Sequence, residues 1–239
     1  MLELNKIYCM DCLEGMKDIP DGSIDLLLTD PPYRIHAKSG GGLHNKREWL
    51  KNVHNANIDE FDPIDFLVAI RPKLKSFHAY IFCSKDLLID YLYWIKNNDF
   101  NYEILIMGKN NPIPTKNNKY LSDKEYCLFI REPGKCYFNN DQPFQDYKTI
   151  QMVDVTKNEY HPAQKDLDYC KRLLRISTRP NDLVLDPFAG SGTTLVACKQ
   201  LRRNFIGFEL SQKYVDIANR RLSQETIFDY VLEGALCQQ

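Results

Sequence analysis

Residues 26–35 read LLLTDPPYRI, an apolar run that stops at an acid, two prolines and a tyrosine. Ile24, Leu26, Leu27 and Leu28 form the pattern of a fully buried strand, and consecutive prolines continue neither a strand ladder nor a helix. The chain therefore ends the strand there and presents Asp30 and Tyr33 beyond it. In open α/β sheets ligands bind in the crevice outside the carboxyl ends of the strands, so an acid and an aromatic fixed by stiff prolines point to a site. A proline-rich turn carrying a surface tyrosine accounts for these four residues equally well.

A second stretch shares the design. Residues 183–194, LVLDPFAGSGTT, are an apolar strand ending in Asp186, followed by a glycine-rich turn that opens a helix at Thr193. Gly190 and Gly192 permit a tight turn and close backbone approach, and a helix N-terminus offers unpaired N–H groups to an anion. The next strand-like run, in NFIGFEL, ends at Glu209. That acid lies roughly twenty residues past the loop, the spacing at which a carboxylate takes the hydroxyls of a cofactor ribose. A dinucleotide remains open as the ligand, although GSGTT lacks the full G-x-G-x-x-G pattern.

The elements that must position these residues alternate. Strand-like runs fall at Lys6–Cys9, Ile24–Thr29, His78–Cys83, Tyr102–Met107, Glu125–Arg131, Leu183–Asp186 and Asn204–Phe208. Helical patterns fall at Ile64–Leu74, Asp86–Asn98, Ala163–Ser177, Thr193–Leu201 and Gln212–Leu222. Such alternation predicts a mostly parallel sheet with helices on both faces. Tyr102–Met107 and Glu125–Arg131 are joined by a polar loop without a helix, so one of the two is expected to run antiparallel. Residues 34–62, with the triplet Gly40-Gly41-Gly42, and 132–160, with Pro133-Gly134, resist assignment; segments of this length are usually binding loops or lids.

The bulk numbers narrow the classes. A chain of 239 residues with 44% hydrophobic and 26% charged residues fits one large α/β domain. No run approaches the roughly 18 apolar residues that span a bilayer, and Met1–Lys6 leads into a strand rather than a signal peptide. No membrane association and a cytoplasmic location are therefore expected. Eight cysteines in such a chain are expected to be reduced. Cys9 and Cys12 form a C-x-x-C pair, but no second pair with matching spacing follows, so packing is expected and no metal. The net charge of −1 excludes a protein held to nucleic acid by its overall field, yet its distribution is uneven. Residues 34–57 set the five cations Arg34, Lys38, Lys46, Arg47 and Lys51 against Glu48, a local +4; residues 105–124 set the four cations Lys109, Lys116, Lys119 and Lys124 against Asp123, a local +3. Two basic loops on a neutral protein suit a phosphate-facing surface, and solvated loops are the alternative.

DPPY (Asp30–Tyr33), DPFAGSGTT (Asp186–Thr194) and YHPAQKDLDYCKRLL (Tyr160–Leu174), in that setting, closely resemble the S-adenosylmethionine-dependent DNA amino-methyltransferases. The order matches the permuted β group, which places the catalytic motif before the cofactor motif. The resemblance covers nearly the whole chain. It implies a single catalytic domain, 1–239, with a Rossmann-like methyltransferase fold: a seven-stranded mostly parallel sheet, one strand antiparallel, helices on both faces.

It also implies roles. Asp186, Phe188, Gly190, Ser191, Gly192 and Thr193 match the loop that holds the methionine half of S-adenosyl-L-methionine, and Glu209 matches the ribose acid. Asp11, with Cys12 beside it, matches the segment at the cofactor adenine. His161, Gln164 and Lys165 match the motif that closes over the cofactor, but Asp166 replaces the family's usual proline, which puts the start of that helix in question. Asp30, Pro31, Pro32 and Tyr33 match the catalytic tetrapeptide.

The implied chemistry gives the proline-bound acid a purpose. An exocyclic amino nitrogen is a poor nucleophile because its lone pair is delocalised into the base. Hydrogen bonds to the Asp30 carboxylate and the Pro31 carbonyl draw it toward tetrahedral geometry, and in-line attack on a sulfonium methyl then needs alignment and charge placement. The base must leave the stack, and Tyr33 supplies an aromatic face for it. Family members with aspartate first act mostly on adenine and those with serine mostly on cytosine, so Asp30 favours adenine, with 4-methylcytosine as the alternative product. DNA is the expected partner, gripped by Arg34, Lys38, Lys46, Arg47, Lys51, Lys109, Lys116 and Lys119, with residues 132–160 and 34–62 reading the target. A cognate restriction endonuclease and a second copy of the chain are further candidate partners. Methylation of RNA or a protein glutamine is a second enzymatic reading. An inactive methyltransferase-like subunit is the non-enzymatic one, against which stand Asp30, Asp186 and Glu209, all present.

Overall fold

A computed structural model of the chain describes residues 2–32, 62–112, 120–154 and 165–224. Among these, eight strands form one sheet: β1 (Lys6–Cys9), β2 (Leu26–Thr29), β3 (His78–Cys83), β4 (Asn101–Lys109), β5 (Lys124–Arg131), β6 (Ile150–Val153), β7 (Leu183–Asp186) and β8 (Asn204–Glu209). Their order across the sheet is β1-β8-β7-β2-β3-β5-β4-β6. Only β5 runs against its neighbours, pairing antiparallel with β3 and β4, while every other pairing is parallel. The expected antiparallel strand is therefore the second of the two joined without a helix.

The helices are α1 (Cys12–Met16), α2 (Pro63–Ile70), α3 (Lys85–Asn97), α4 (Leu167–Ser177), α5 (Thr193–Gln200) and α6 (Gln212–Ser223). They cover both faces, and strand alternation sorts the core between them. Leu27, Ala79, Ile81, Leu185 and Ile206 pack toward α1, α2 and α3 with Met16, Phe66, Leu67, Tyr91 and Trp94. Leu26, Leu28, Tyr80, Phe82 and Val184 pack toward α4, α5 and α6 with Leu173, Leu174, Leu195 and Ala218. All four residues of β2 and all six of β3 are buried, as parallel strands with both faces covered require. Among the described residues no helix is long and apolar enough to cross a membrane.

Two elements exceed the sequence expectation. The eighth strand, β6, lies within residues 132–160; it is short, sits at the sheet edge and exposes Ile150 and Met152. Its place is set by backbone pairing with β4, from Ile106 to Lys109, which leaves little mark on side-chain pattern. The five-residue α1 is too short to show a helical period and is fixed instead by Asp11, whose carboxylate accepts from the N–H groups of Leu13 and Glu14. The helix expected from Ala163 begins at Leu167, because Asp166 adopts extended backbone and caps it, accepting from the Tyr169 N–H at 2.7 Å. Aspartate among the best N-caps thus explains the departure from proline at this position. Ala163 itself lies outside the described residues.

Candidate active site

The sheet order reverses between β2 and β7: β2 leads through α2 to β3 on one side, β7 through α5 to β8 on the other. In a parallel sheet this is where a crevice opens at the carboxyl ends. The two strands pair at Leu26 with Val184 and Leu27 with Leu185, so Asp186, which ends β7, and Asp30, which follows β2 two positions further along, emerge at the same end of the sheet. They are stitched together, for the Thr29 hydroxyl donates to Asp186 Oδ1 at 3.0 Å. Pro31 is buried directly after Asp30 and anchors the turn.

Asp30 is held by a cation. Lys165, the residue before the α4 cap, donates from Nζ to Asp30 Oδ2 at 2.6 Å. The same ammonium lies 3.0 Å from Glu125 Oε2, an ion-pair contact outside hydrogen-bond geometry, and 5.0 Å from the centre of the Phe82 ring. Glu125 in turn receives Lys109 Nζ at 2.6 Å on Oε1. Charges therefore alternate along Asp30, Lys165, Glu125 and Lys109, supplied by the ends of β2, β5 and β4 and the approach to α4. The lysine side chain is only 10% exposed. Burial by itself would pull its ammonium down, but the Asp30 and Glu125 carboxylates overcome this and hold it above the usual lysine value. Burial likewise favours protonated Glu125, and the two lysines reverse that and hold it below the usual glutamate range.

The glycine-rich turn forms the other half. Gly190 and Gly192 both adopt positive φ, +52° and +80°. At Gly192 a side chain would also stand 2.8 Å from Ala218 Cβ, whereas one at Gly190 would project into open space. The concave side of the loop is thus open beside Glu209, whose carboxylate accepts from the Gly190 N–H at 3.0 Å and the Ser211 N–H at 2.8 Å. Burial pushes Glu209 above its ordinary range. It also pushes the fully enclosed Asp186 up to about 7, against the hydrogen bonds from Thr194, Phe188 and Thr29. Gly192 enters α5 without a side-chain cap. An open backbone loop, a buried carboxylate ending β7, a half-buried one ending β8 and an uncapped helix start fit a ligand that carries a ribose and charged groups.

Several expected residues therefore converge at this end of the sheet: Asp186, Gly190, Gly192 and Glu209 on the β7 and β8 side and Asp30 with Pro31 on the β2 side. Phe188 packs its ring against Phe66 at 5.4 Å between centroids, near the head of α2. Ser191 and Thr193, expected at the cofactor, are buried and accept from Arg221, whose Nη1 lies 3.2 Å and 3.1 Å from their hydroxyls and 2.6 Å from the Ser191 carbonyl oxygen. Asp11 serves as the α1 cap. Cys12 is buried, which pushes its thiol up to about 12, and the exposed Cys9 donates to the Leu210 carbonyl oxygen. Lys165, expected over the cofactor, lies on Asp30, and Lys109, expected at phosphates, pairs with Glu125.

Tyr33, Arg34, Lys38, Lys46, Arg47, Lys51, Lys116, Lys119, His161 and Gln164 lie outside the described residues. The described part of 132–160 is tied to the body. Arg172 of α4 donates to the carbonyl oxygens of Asp146 and Lys148, and the Asn139 N–H donates to that of Ile176. Arg221, Glu125 and Thr29 escape sequence reasoning because their partners are distant in the chain. A polar cleft of about 370 Å³ lies at the other end of the sheet, where β8 begins, lined by Asn5, Asn181, Lys199, Arg202, Arg203 and Asn204. Its cations serve the fold: Lys199 donates to the Leu222 carbonyl oxygen and Arg203 to that of Thr178.

Comparison with known proteins meets this geometry. Residues 24–220 match the N6/N4 methyltransferase family of DNA methylases. The chain is 31% identical to the type II methyltransferase M2.MboI of Moraxella bovis, over 92% of this chain and 88% of that one. It is 30% identical to the type II methyltransferase M.HinfI of Haemophilus influenzae, over 92% and 69%. Among solved structures it is similar to the M1.HpyAVI–SAM complex, with a TM-score of 0.70 and 29% identity over 90% of this chain and 98% of that one. The cytosine-N4-specific PvuII DNA methyltransferase shares the fold, with a TM-score of 0.68 at 18% identity over 92% and 87%.

Proposed function

As the chain belongs to the N6/N4 family of DNA methylases, we propose that it is a site-specific DNA adenine methyltransferase that modifies the exocyclic amino group of a flipped adenine. The observation that carries this reading is the pairing of β2 with β7, which sets the Asp30 carboxylate beside the glycine-rich loop at one switch point. S-Adenosylmethionine supplies, when bound, an electrophilic methyl group on a sulfonium centre. Gly190, Gly192 and Glu209 are the residues that would hold it, with Asp11 and Asp186 at the flanking strand ends.

The chain's own contribution is alignment and charge. The Asp30 carboxylate and the Pro31 carbonyl oxygen accept the two amino N–H bonds of the target base. Both acceptors are fixed, the first by Lys165 and the second by the buried proline, so little reorganisation is needed as the nitrogen pyramidalises. Asp30 would take up the proton that the nitrogen releases when the methyl group passes to it from sulfur, whose bond to that carbon breaks. The base is exposed by flipping, and Tyr33 of the tetrapeptide provides the stacking face.

The fold itself does not choose the base, since the PvuII enzyme has it too. The choice of adenine rests on aspartate at the first position of the tetrapeptide. The described residues on either side of 33–61, 113–119 and 155–164 lie around the end of the sheet that holds Asp30. Residues 34–62 and 132–160 are the segments we assign to DNA, with Arg34, Lys38, Lys46, Arg47, Lys51, Lys116 and Lys119 at phosphates. Purified protein incubated with labelled S-adenosylmethionine and unmethylated duplex should label the DNA, and Asp30→Ala protein should not. Label transferred at the normal rate by the alanine variant would remove Asp30 from the chemistry.

A further inference from the structure

The chain of ion pairs ends on the carboxylate assigned to the chemistry and runs through a lysine that belongs, by motif, to the cofactor. We propose that Lys165 is a positioning residue for Asp30, and that Glu125, neutralised by Lys109, is the second anchor that keeps this ammonium in place while the target amino group binds. The proposal rests on the methyltransferase reading above and adds to it the device that orients the acceptor.

The contacts set the direction of the argument. Among the described residues, Lys165 Nζ touches Asp30, Glu125 and the Phe82 face, which belong to β2, β5 and β3. Its contacts thus lie on the target-base side of the crevice, away from the loop after β7 that carries Gly190 and the end of β8 that carries Glu209. A carboxylate offers about four acceptor positions, so Lys165 can retain one on Oδ2 while the amino group takes another. A lysine bound to Asp30 alone would be a flexible cation that follows its only partner and competes for it. Here a second carboxylate at 3.0 Å pulls against the first, and the aromatic face closes the third side.

Glu125 is itself constrained. It sits opposite Met107 in the β4–β5 ladder and carries Lys109 on its other oxygen. The alternation of two acids and two lysines leaves the group neutral as a whole, so orienting Asp30 adds no net charge beside the nitrogen. Lys165 is placed by backbone as well, immediately before the Asp166 cap of α4. Asp30 is thereby oriented before DNA arrives, which is the condition for an aligned acceptor to speed transfer.

Single-turnover methyl transfer to duplex DNA, cofactor affinity by calorimetry and thermal unfolding should be measured for wild type, Lys165→Met, Lys165→Arg, Glu125→Gln and the Met/Gln double variant. Lys165→Met should slow transfer about 100-fold, the scale of a misplaced catalytic group, with cofactor Kd changed less than about threefold. Lys165→Arg should recover much of that loss. Glu125→Gln should slow transfer about tenfold, the scale of the weaker couplings between close charge pairs, and should cause no further loss in the Lys165→Met background, because it acts through Lys165. Transfer by Lys165→Met near the wild-type rate would overturn the proposal, as would cofactor affinity falling in step with the rate. A Glu125→Gln loss of equal size in both backgrounds would overturn the anchor role, and Lys165→Arg with Glu125→Gln keep the test open should the methionine variant not fold. A wild-type product of 4-methylcytosine alone would overturn the adenine reading, while the same rates would still judge Lys165.

Discussion

Thr29 and Asp186 are joined across the β2–β7 pair, the threonine hydroxyl donating to a carboxylate with 3% exposure. This bond locks the strand that ends in the DPPY tetrapeptide to the strand that ends in the glycine-rich loop. The bond ties the two half-sites to each other, and the burial that encloses it also makes Asp186 reluctant to ionise.

That reluctance predicts a pH dependence. Burial raises Asp186 from the usual 3.8 to about 7. Between those values the folded chain keeps a proton that the unfolded chain has released, so this group's contribution is full below about pH 4 and is lost as pH rises to 7. At 1.36 kcal/mol per unit the loss is at most about 4 kcal/mol. Asp186→Asn removes the titration while keeping the shape. In urea unfolding of cofactor-free protein, the stability of the variant relative to wild type should rise between pH 4.5 and 7.5. A flat difference would show that Asp186 titrates at its ordinary value, and a falling one would contradict the direction of the shift.

Arg221 braces the same loop from α6. Replacing it by methionine leaves the Ser191 carbonyl oxygen and the Ser191 and Thr193 hydroxyls without their buried donor. The expected destabilisation is about 1–3 kcal/mol, with cofactor affinity reduced and transfer restored by excess cofactor. Thermal unfolding with a cofactor titration measures both. A variant as stable as wild type with unchanged affinity would make the brace irrelevant to the loop.

Cofactor binding and chemistry should separate by residue. Asp30→Ala should abolish turnover and leave cofactor affinity within about threefold, a change below the energy of one hydrogen bond. Glu209→Ala, which releases the N–H groups of Gly190 and Ser211, should weaken cofactor binding first. Calorimetry giving the reverse pattern would mean that the two half-sites are exchanged.

Asp30 and Asp186 are legible in the sequence because each closes an apolar run where proline forbids continuation, and Glu209 because it ends the next apolar run at the spacing of a ribose acid. The parallel order follows from alternation, and an antiparallel strand in the β4–β5 pair from a loop too polar for a helix, while the choice of β5 comes from its pairing with both β3 and β4. Lys165 and Asp30 are 135 residues apart, and no local pattern encodes their pairing; its motif assigned the lysine to the cofactor instead. Lys109 looks like a loop cation until the β4–β5 register brings Glu125 within reach. β6 is missed because an edge strand is defined by its neighbour's backbone more than by its own side chains.

The basic stretch from Arg34 to Asn57 carries its own prediction, drawn from charge alone. Replacing Lys46, Arg47 and Lys51 together by alanine should weaken DNA binding and shallow its salt dependence by up to about three counterion units, at roughly 0.9 per phosphate contact. Cofactor affinity should be unaffected. Filter binding across a salt series gives the slope, and an unchanged slope with unchanged affinity would assign these cations to solvent.

The identity of the methylated base tests the account most directly. Unmethylated duplex DNA treated with the wild-type protein and S-adenosylmethionine, then hydrolysed to nucleosides and resolved by mass spectrometry, should contain 6-methyladenine, and the Asp30→Ala reaction should contain none. A wild-type product consisting solely of 4-methylcytosine would contradict the assignment of Asp30 as the acceptor for an adenine amino group.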